Sequence, residues 1–445
     1  KCTHFESDGE IFPMEPILVG NLIEQVNSLS EDGFRVLAVA NKDLGAGGAA
    51  APAYSKADEE NLVLTGYLAF LDPPKDTAAK AIAALRQNGV TVKVLTGDND
   101  LVTRKVCSEV GINPEKILIG SDVEKMSDDE LAAAMEGAEI CARLSPSHKK
   151  RVVHALQRRH VVGFMGDGIN DAPALRAADV GISVDNAVDI AKESADMILL
   201  EKSLMVLEEG VIEGRKVFGN IVKYIRMGAS SNFGNMFSWL GASAWFPFLP
   251  MQPLQILTNN LLYDFSQVPI PTDNVGRQFT CKPRPWHMGE IAKFIVFLGP
   301  VSSIFDYTTF CVMWFYFKCD HLGLVPPPEF AARFAPSTGN PDHTYAAALF
   351  NTAWFVESLM TQTLIIHVIR TNLIPFIQSR ASWQLTMTTL LIMGIAAALP
   401  YSPLAAPMGF VPLPWSFWPI LAATLVCYVA LTQLIKTWLF RRGWI

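Results

Sequence analysis

The sequence has 445 residues, of which half are hydrophobic and only 18% are charged, and its formal net charge is −7. Soluble proteins carry about a quarter of charged residues, so this composition indicates a chain that is only partly soluble. The negative charge, without a basic stripe, excludes a general nucleic-acid binder. Seven scattered cysteines with no C-x-x-C spacing argue against a structural zinc site or a disulfide framework.

Residues 1–66 are predicted to be the tail of a soluble domain. They contain a helical pattern and an apolar run, Phe34–Val39, that is typical of a strand. A stretch at residues 45–52 is rich in Gly and Ala and indicates a flexible surface loop. Because the chain starts at Lys1 with neither a start Met nor a signal peptide, we expect it to begin inside a larger protein.

Residues 67–213 alternate between short apolar runs and helical patterns. Thr91–Leu95 and Val161–Met165 are predicted strands that each end in a Gly/Asp turn, and a helix is predicted from Thr77 to Gln87, closed by Gly89. Repeated strand–turn–helix units predict an α/β domain with a doubly wound, Rossmann-like parallel sheet. Ligands of such sheets gather at the carboxyl ends of the strands.

Residues 214–445 are predicted to form an all-α transmembrane domain. A hydrocarbon core of about 30 Å requires about 20 apolar residues per helix, and the segment contains six stretches near that length. These predicted spans lie near residues 226–247, 252–271, 291–317, 346–368, 384–402 and 416–437.

Basic residues beside the predicted spans set the orientation, because they favour the cytoplasmic side. They cluster in the second-to-third connection, in the fourth-to-fifth connection and after the sixth span. The soluble half and the C-terminus are therefore predicted to be cytoplasmic. Before the first span, Arg215, Lys216, Lys223 and Arg226 are either a contact for anionic lipid or simply the cytoplasmic flank of a helix.

Three segments lie where a doubly wound fold places its active site. They are Thr96-Gly97-Asp98 after one strand, Lys149 near the start of a helix, and Gly166–Asp171 after another strand. Each segment also has a plain structural interpretation, in which the two motifs are turns and Lys149 is a solvated lysine. Their order along successive strands favours a phosphoryl-transfer site, since such sites depend on positioning and charge neutralisation.

The last of these segments has the donor set for a magnesium ion. Mg²⁺ keeps several waters and needs only one or two carboxylates beside a phosphate oxygen. Asp167 and Asp171, four residues apart in a turn, are the predicted metal ligands. Asn170 can hydrogen-bond a phosphoryl group without adding negative charge, and Lys149 can offset the charge of that group.

Three motifs together resemble the signature set of P-type ATPases, a branch of the haloacid dehalogenase superfamily. They are Leu71-Asp72-Pro73-Pro74-Lys75, Leu95-Thr96-Gly97-Asp98-Asn99, and Met165-Gly166-Asp167-Gly168-Ile169-Asn170-Asp171-Ala172-Pro173-Ala174-Leu175. The resemblance covers essentially the whole chain. It implies a haloacid dehalogenase phosphorylation domain, with Mg²⁺ and ATP as cofactors, ahead of six C-terminal spans.

The resemblance also implies roles for particular residues. Asp167 binds the cofactor Mg²⁺, and Asn170 and Asp171 support it. The phosphoryl group is surrounded by Thr96, Gly97, Asp98 and Lys149.

The resemblance implies that residues 1–66 are the C-terminal part of a nucleotide-binding domain. It also implies roles for two further residues. Arg35 is similar to an arginine that contacts ATP phosphates. Asp72 is similar to the hinge-side acid between the nucleotide-binding and phosphorylation domains. An equally good reading of Asp72 is an acid at a helix N-terminus.

One departure from the family pattern limits what this chain does alone. The phosphorylated aspartate of the family lies in D-K-T-G-T, and that motif does not occur in the sequence. We therefore expect an N-terminal half of the same enzyme, with the actuator domain and four further spans, to supply the nucleophile.

Polar groups inside predicted spans are costly and so are candidates for an ion-transport site. Asn260 and Asp264 lie one turn apart in the second span, and Asn232 and Asn235 share a face of the first. Helix–helix hydrogen bonding is the alternative for the two asparagines of the first span. Glu357 in the fourth span is a further candidate. It is a ligand of the ion, a partner of a neighbouring polar group or part of the wall of the ion's access route. The same three alternatives apply to Asp306 in the third span.

Oxygen donors without sulfur favour a hard cation. The segments Ser230–Asn235, Leu261–Asp264 and Thr361–Leu364 resemble the bacterial magnesium-transporting branch, which implies Mg²⁺ transport across the inner membrane through an aspartyl-phosphate. One alternative is a pump of the same mechanism for Ca²⁺ or H⁺, which ATPase activation across a panel of ions would distinguish from a magnesium pump. The second alternative is a non-catalytic membrane regulator, and a D-K-T-G-T motif upstream in the same reading frame would exclude it.

Overall fold

The computed structural model describes residues 1–43, 55–201, 203–334, 341–371 and 373–442, so the loop predicted at 45–52 lies outside the described residues. The chain divides into two compact units, of which the first is Lys1–Val211 and the second begins at Ile212. Each unit is described separately.

A four-stranded sheet opens the first unit, in the order β2-β1-β4-β3. Strands β1 (Cys2–Ser7) and β2 (Glu10–Pro13) form a hairpin whose turn uses Gly9 in the left-handed region. The longer strands β3 (Phe34–Asn41) and β4 (Leu62–Leu71) pair antiparallel and place Arg35 opposite Phe70. Helix α1 (Pro16–Glu31) precedes β3, where the sequence predicted a helix and a strand.

The rest of the first unit holds six short parallel strands in two sheets. One sheet has the order β5-β7-β6 and the other β10-β9-β8, and every pairing is parallel. The strands are β5 (Val94–Leu95), β6 (Ile117–Ile119), β7 (Ile140–Ala142), β8 (Gly163–Met165), β9 (Val180–Val184) and β10 (Met197–Leu199). The parallel α/β prediction therefore holds, although the strands form two three-stranded sheets rather than one.

Helices connect these strands. They are α2 (Ala78–Gln87), α3 (Asp100–Glu109), α4 (Gly120–Lys125), α5 (Asp128–Gly137), α6 (Pro146–Gln157), α7 (Ala172–Ala177) and α8 (Asp189–Ser194). Strand β7 is fully buried, and Leu131, Met135 and Val152 from α5 and α6 pack in the same core. This packing fixes the carboxyl end of β7, where the candidate site begins.

The second unit is helical. Its helices are α9 (Met205–Trp245), which begins just before the unit boundary, α10 (Pro253–Gln267), α11 (Arg277–Thr280), α12 (Met288–Cys311), α13 (Tyr345–Ile369), α14 (Trp383–Ala398) and α15 (Phe417–Arg441). Helix α13 is buried over nearly its whole length because α10, α12, α14 and α15 pack around it.

Among the described residues, four helices are long and apolar enough to cross a membrane, rather than the six predicted. Those spans are Met288–Tyr316, Tyr345–Ile369, Trp383–Tyr401 and Phe417–Arg441. The first two predicted spans fall on α9 and α10. Helix α10 has 15 residues, too few for a core of about 30 Å at about 1.5 Å per residue. Asn and Ser side chains lower the hydropathy of the corresponding part of α9.

Glycines let α9 and α12 approach closely. A Cβ on Gly234 would collide with Ser302 Oγ and lie 2.6 Å from the carbonyl oxygen of Gly299. The hydroxyl of Ser303 also donates to the Gly234 carbonyl at 3.0 Å. Only glycine fits at position 234 without displacing α12.

Candidate functional site

A cleft of about 140 Å³ lies at the carboxyl end of β5. It is lined by four residues that the sequence singled out, Arg35, Asp72, Thr96 and Asp98. The Arg35 guanidinium forms an ion pair with Asp98 Oδ1. The Thr96 hydroxyl donates to Asp98 Oδ2 and accepts from the Asp98 backbone N–H, both at 3.1 Å. Of the residues predicted for nucleotide and phosphate contacts, these four thus share one cleft.

Backbone hydrogen bonds hold the loop after β5 against the loop after β7. The Thr96 N–H donates to Cys141 O at 2.9 Å, and the Leu144 N–H donates to Thr96 O at 3.0 Å. The Arg143 N–H donates to Asp98 O at 2.9 Å. Because parallel strands end at the same edge of a sheet, these bonds bring the T-G-D turn beside the segment that leads to Lys149.

Lys149 is held by Asp171. Helix α6 starts with a capping box in which Ser145 accepts from the His148 N–H, and this places Lys149 in the first turn. Lys149 Nζ donates to Asp171 Oδ1 at 2.7 Å, and both side chains are nearly enclosed, at 13% and 12% exposure. The sequence predicted both residues for the site but not their direct pairing.

The turn after β8 is shaped around the same carboxylate. The Gly168 N–H donates to Asp171 Oδ2 at 3.2 Å. A Cβ on Gly166 would lie 2.5 Å from the Asp171 Cβ, so the turn closes over this side chain only with glycine there. Asp167 and Asn170 remain exposed at the tip of the turn.

The donor set at this turn fits a magnesium ion that is bound mainly by Asp167. The Asp167 carboxylate is exposed, whereas both Asp171 oxygens already accept hydrogen bonds. Across the described ranges, no group of three or more His, Cys, Asp or Glu side chains is arranged to hold a metal. A hydrated ion that uses one or two carboxylates and a phosphate oxygen needs no such group.

Arg143 lies beside the T-G-D turn and was not predicted from the sequence as part of the site. Its φ of 54° lies in the left-handed region, which a side-chain-bearing residue rarely adopts. Its guanidinium binds Asp100 Oδ1 at 2.6 Å and Asn99 Oδ1 at 3.2 Å, beside the T-G-D turn. The signal in the sequence was an arginine directly after a buried strand and two residues before the helix cap.

Cys107 also lines the cleft, yet its environment argues against a nucleophilic role. The side chain is buried, and burial raises the pKa of its thiol to about 11. A thiol with so high a pKa stays protonated and unreactive. The chemistry of the cleft therefore rests on oxygen and nitrogen groups.

The five transport-site candidates of the second unit fall on different surfaces. Asn232, Asn260 and Asp264 are exposed and Asn235 is half-buried, whereas Glu357 is fully enclosed in α13. The face of α10 that carries Asn260 and Asp264 also exposes Leu257, Leu261 and Phe265. The opposite face is polar and buried, and there Asn259 donates to Phe355 O at 3.4 Å.

The basic residues before the first predicted span are engaged within the protein. Arg215 donates to Thr280 O at 2.8 Å, and Lys216 pairs with Glu213 at 2.9 Å. Lys223 binds Asp273 Oδ2 at 2.7 Å. These contacts favour the helix-flank interpretation of the cluster over the lipid contact.

Asp273 is the centre of a buried ionic network. Besides its ion pair with Lys223, Asp273 accepts hydrogen bonds from Arg370 Nη1 at both carboxylate oxygens, each at 3.1 Å. It also accepts one from the Ser382 N–H at 3.2 Å. Arg370 is one of the basic residues between the fourth and fifth predicted spans, which were predicted to be cytoplasmic; it is 4% exposed and also donates to Ser379 Oγ. The network connects α9, the segment after α10, the end of α13 and the start of α14.

Two family models match the chain. Residues 22–179 match the haloacid dehalogenase-like hydrolase model, and residues 248–438 match the model of the C-terminus of cation transporting ATPases. The first match includes the cleft and the Lys149–Asp171 pair, and the second includes α12 to α15.

Relatives are similar along the entire chain. It is 52% identical to a "Magnesium-transporting ATPase, P-type 1" of Escherichia coli K12 and 53% identical to a protein of that name from Salmonella typhimurium, with 100% of the chain covered in both cases. A "Probable cation-transporting ATPase F" of Mycobacterium bovis is 37% identical over 58% of the chain and 29% of its own length. The chain spans about half the length, 47%, of the two magnesium-transporting relatives.

Proposed function

The chain belongs to the P-type ATPases, and from that premise we propose that it forms part of an ATP-driven pump that moves Mg²⁺ across a bacterial inner membrane. The first unit supplies groups for phosphoryl transfer, and the second supplies the path of the ion. The phosphorylated aspartate comes from the N-terminal half of the same enzyme.

The Lys149–Asp171 pair in the G-D-G-I-N-D turn carries the phosphoryl-transfer part of the proposal. Asp171 fixes the ammonium group and offsets part of its charge until a phosphoryl group arrives. Since phosphoryl transfer depends on charge already in position, a lysine oriented in this way stabilises the transition state without reorganisation.

The other residues of the cleft orient the phosphoryl group and the nucleotide. The Thr96 hydroxyl and the amides of Gly97 and Asp98 contact phosphoryl oxygens. Arg35 exchanges its ion pair with Asp98 for a phosphate of ATP, and Asp72 is a further lining residue of the cleft. Asp167 holds the cofactor Mg²⁺, with Asn170 and Asp171 in support. The bound Mg²⁺ neutralises charge on the phosphoryl oxygens.

The transport site is built on the open face of the second unit. Asp264, Asn260, Asn232 and Asn235 supply oxygen ligands for a partly hydrated ion. An ionised carboxylate exposed at membrane depth is costly unless it meets a partner, and helices of the N-terminal half are the partner in this proposal. The soluble unit and the C-terminus are cytoplasmic in this proposal.

Cation activation of the full-length pump that carries this chain tests the proposal. With ATP and cofactor Mg²⁺ supplied throughout, we expect proteoliposomes to show ATP-driven, vanadate-sensitive flux of Mg²⁺ rather than of Ca²⁺ or H⁺. Asp264→Asn should abolish the Mg²⁺ flux, whereas Asp342→Asn should not. Equal flux in the Asp264→Asn variant and the wild type would defeat the transport-site assignment, and flux of Ca²⁺ without flux of Mg²⁺ would defeat the choice of ion.

A further inference from the structure

The connection between α14 and α15 is inserted into the second unit. Residues 402–413 of this connection are called the wedge here. Phe410 and Val411 at its centre are both 0% exposed, although connections between helices normally run over the protein surface. The Phe410 ring packs against the Phe355 ring of α13, with 4.7 Å between the ring centroids. The wedge is therefore part of the core of the helix bundle.

Polar side chains of two helices bind the buried backbone of the wedge. The side-chain amide of Gln255 on α10 donates to Met408 O at 2.8 Å, and its oxygen accepts from the Gln252 N–H at 2.9 Å. The Val411 N–H donates to Thr352 Oγ1 on α13 at 3.1 Å. Because a buried backbone group without a partner is costly, these bonds make the wedge a bridge between α10 and α13.

The wedge has the features of a rigid segment. Three prolines fix φ and remove backbone donors that would otherwise need partners; they are Pro403, Pro407 and Pro412. Gly409 turns the chain with a φ of 77°, in the left-handed region. Arg333, from the connection between α12 and α13, donates to Phe410 O at 2.9 Å and to Ala406 O at 3.0 Å. A segment built in this way holds its neighbours in place.

The part of α10 that the wedge holds leads directly to candidate transport ligands. Gln255 is 0% exposed, and one turn further Asn259 donates to the carbonyl oxygen of Phe355, whose ring contacts the wedge. Asn260 and Asp264 follow on the same helix. A shift of α10 relative to α13 would therefore move both ligands.

We propose that the wedge sets the position of α10 against α13, and that Gln255 is a positioning residue of the transport site that acts through α10. This inference rests on the proposed function, since it assigns an effect on the ion to a residue that does not touch it. A ligand set binds its ion well only when its oxygens are held close to the productive geometry. Without the Gln255 amide, Met408 O is left without this donor, and α10 loses its bond to the wedge.

The dependence of flux on the Mg²⁺ concentration tests the role of Gln255 in proteoliposomes of the full-length pump. Cofactor Mg²⁺ stays constant, and Mg²⁺ is varied on the side from which the ion is taken. Gln255→Met replaces the amide by an apolar side chain of similar length. It should raise the half-saturating Mg²⁺ concentration about threefold to tenfold and leave the KM for ATP unchanged. A merely structural role would lower the maximal flux, through loss of folded pump, without changing the half-saturating concentration.

Gly409→Ala disturbs the same contact from the wedge. The left-handed φ strains an alanine, and its Cβ would lie 3.4 Å from Gln255 Nε2, so the half-saturating Mg²⁺ concentration should again rise. The double variant should show less than the product of the two single effects, because both changes act on one contact. Gly323→Ala, at an exposed position where a Cβ meets nothing within 4 Å, is the control and should keep the wild-type value.

Hydrogen exchange of the full-length pump in detergent micelles tests the wedge without ATP or transport. The Phe410 and Val411 amides should exchange slowly in the wild type, because both are buried and donate to Ala405 O and Thr352 Oγ1. In Gln255→Met their exchange should be faster.

Two results would overturn the proposal. One is a half-saturating Mg²⁺ concentration that stays at the wild-type value in both Gln255→Met and Gly409→Ala. The other is rapid exchange of the Phe410 and Val411 amides in the wild type. A wild-type pump that carries no Mg²⁺ would instead defeat the proposed function, and hydrogen exchange would then decide by itself whether the wedge is held in the bundle.

Discussion

The two units hold their buried carboxylates in different ways. In the first unit, Asp171 is paired with a single cation, Lys149, and accepts one further hydrogen bond from the Gly168 N–H. In the second unit, Asp273 is held by two cations, Lys223 and Arg370, and by the Ser382 N–H. The lysines of the two units are equally buried, at 13% exposure for Lys149 and 12% for Lys223, so the pairs differ in the number of cations rather than in accessibility. We infer that a carboxylate held by one cation suits a site that binds an anion, and that a carboxylate held by two cations is a structural element.

Removing the enclosed carboxylate should give the largest effect. Asp273→Ala leaves two buried cations without a partner, and we expect a loss of about 3–5 kcal/mol in the free energy of unfolding. Denaturant unfolding in micelles measures this loss in the free energy of unfolding. The control Glu213→Ala breaks an exposed pair with Lys216 and should cost less than about 1 kcal/mol. Equal losses in both variants would erase the distinction between enclosed and exposed pairs.

Removing Lys149, the single cation partner of Asp171, should affect catalysis next. Lys149→Met in the full-length pump should lower ATP turnover about 10²–10³-fold, since a preorganised charge at the reacting group is lost. Lys150→Met changes the neighbouring exposed lysine and should retain turnover close to that of the wild type. A Lys149→Met variant with normal turnover would show that the pair with Asp171 is merely structural.

Helix packing in the second unit should give an intermediate effect. Gly234→Ala forces α9 away from Ser302 and the Gly299 carbonyl, with an expected cost of about 1–3 kcal/mol in stability. Gly394→Ala on α14, where a Cβ meets nothing within 4 Å, is the matched control. Thermal unfolding of the two variants in one detergent compares them, and identical midpoints would contradict the packing argument.

The exposed ion pair of the cleft should give the smallest effect on stability. Arg35 and Asp98 have side-chain exposures of 60% and 41%, so Arg35→Ala should change stability by less than about 1 kcal/mol. It should nevertheless raise the KM for ATP by up to about tenfold, because a charge-assisted contact with phosphate is lost. Lys80→Ala, exposed on α2, should leave the KM unchanged. A large stability loss with an unaltered KM would reverse the assignment.

The local features of the first unit were predictable from sequence. The helix predicted at 77–87 is confirmed as α2, with Gly89 in the left-handed region, because periodicity and its stop signal are local. The T-G-D and G-D-G-I-N-D motifs pointed to strand ends for the same reason. The division into two sheets was not predictable, since it depends on which short strands form hydrogen bonds. The conformation of Arg143 depends on contacts with Asp98, Asn99 and Asp100 that sequence spacing does not encode.

The second unit was harder to predict because its decisive contacts join distant residues. Trp354 donates to Asp306 from a distant helix, and hydropathy marks Asp306 only as an unusual residue in an apolar helix. The same holds for Asp273 and Arg370, which bind each other across two elements. The length of α10 was predictable in part, since Pro253 starts the helix and Pro269 follows its end. The assignment of the transport ligands stays a prediction.

The most direct test measures ATP turnover and Mg²⁺ flux together in proteoliposomes that contain the full-length pump. Lys149→Met should stop both activities, and Asp264→Asn should stop the flux. Mg²⁺ flux that continues in either variant would contradict the proposed function.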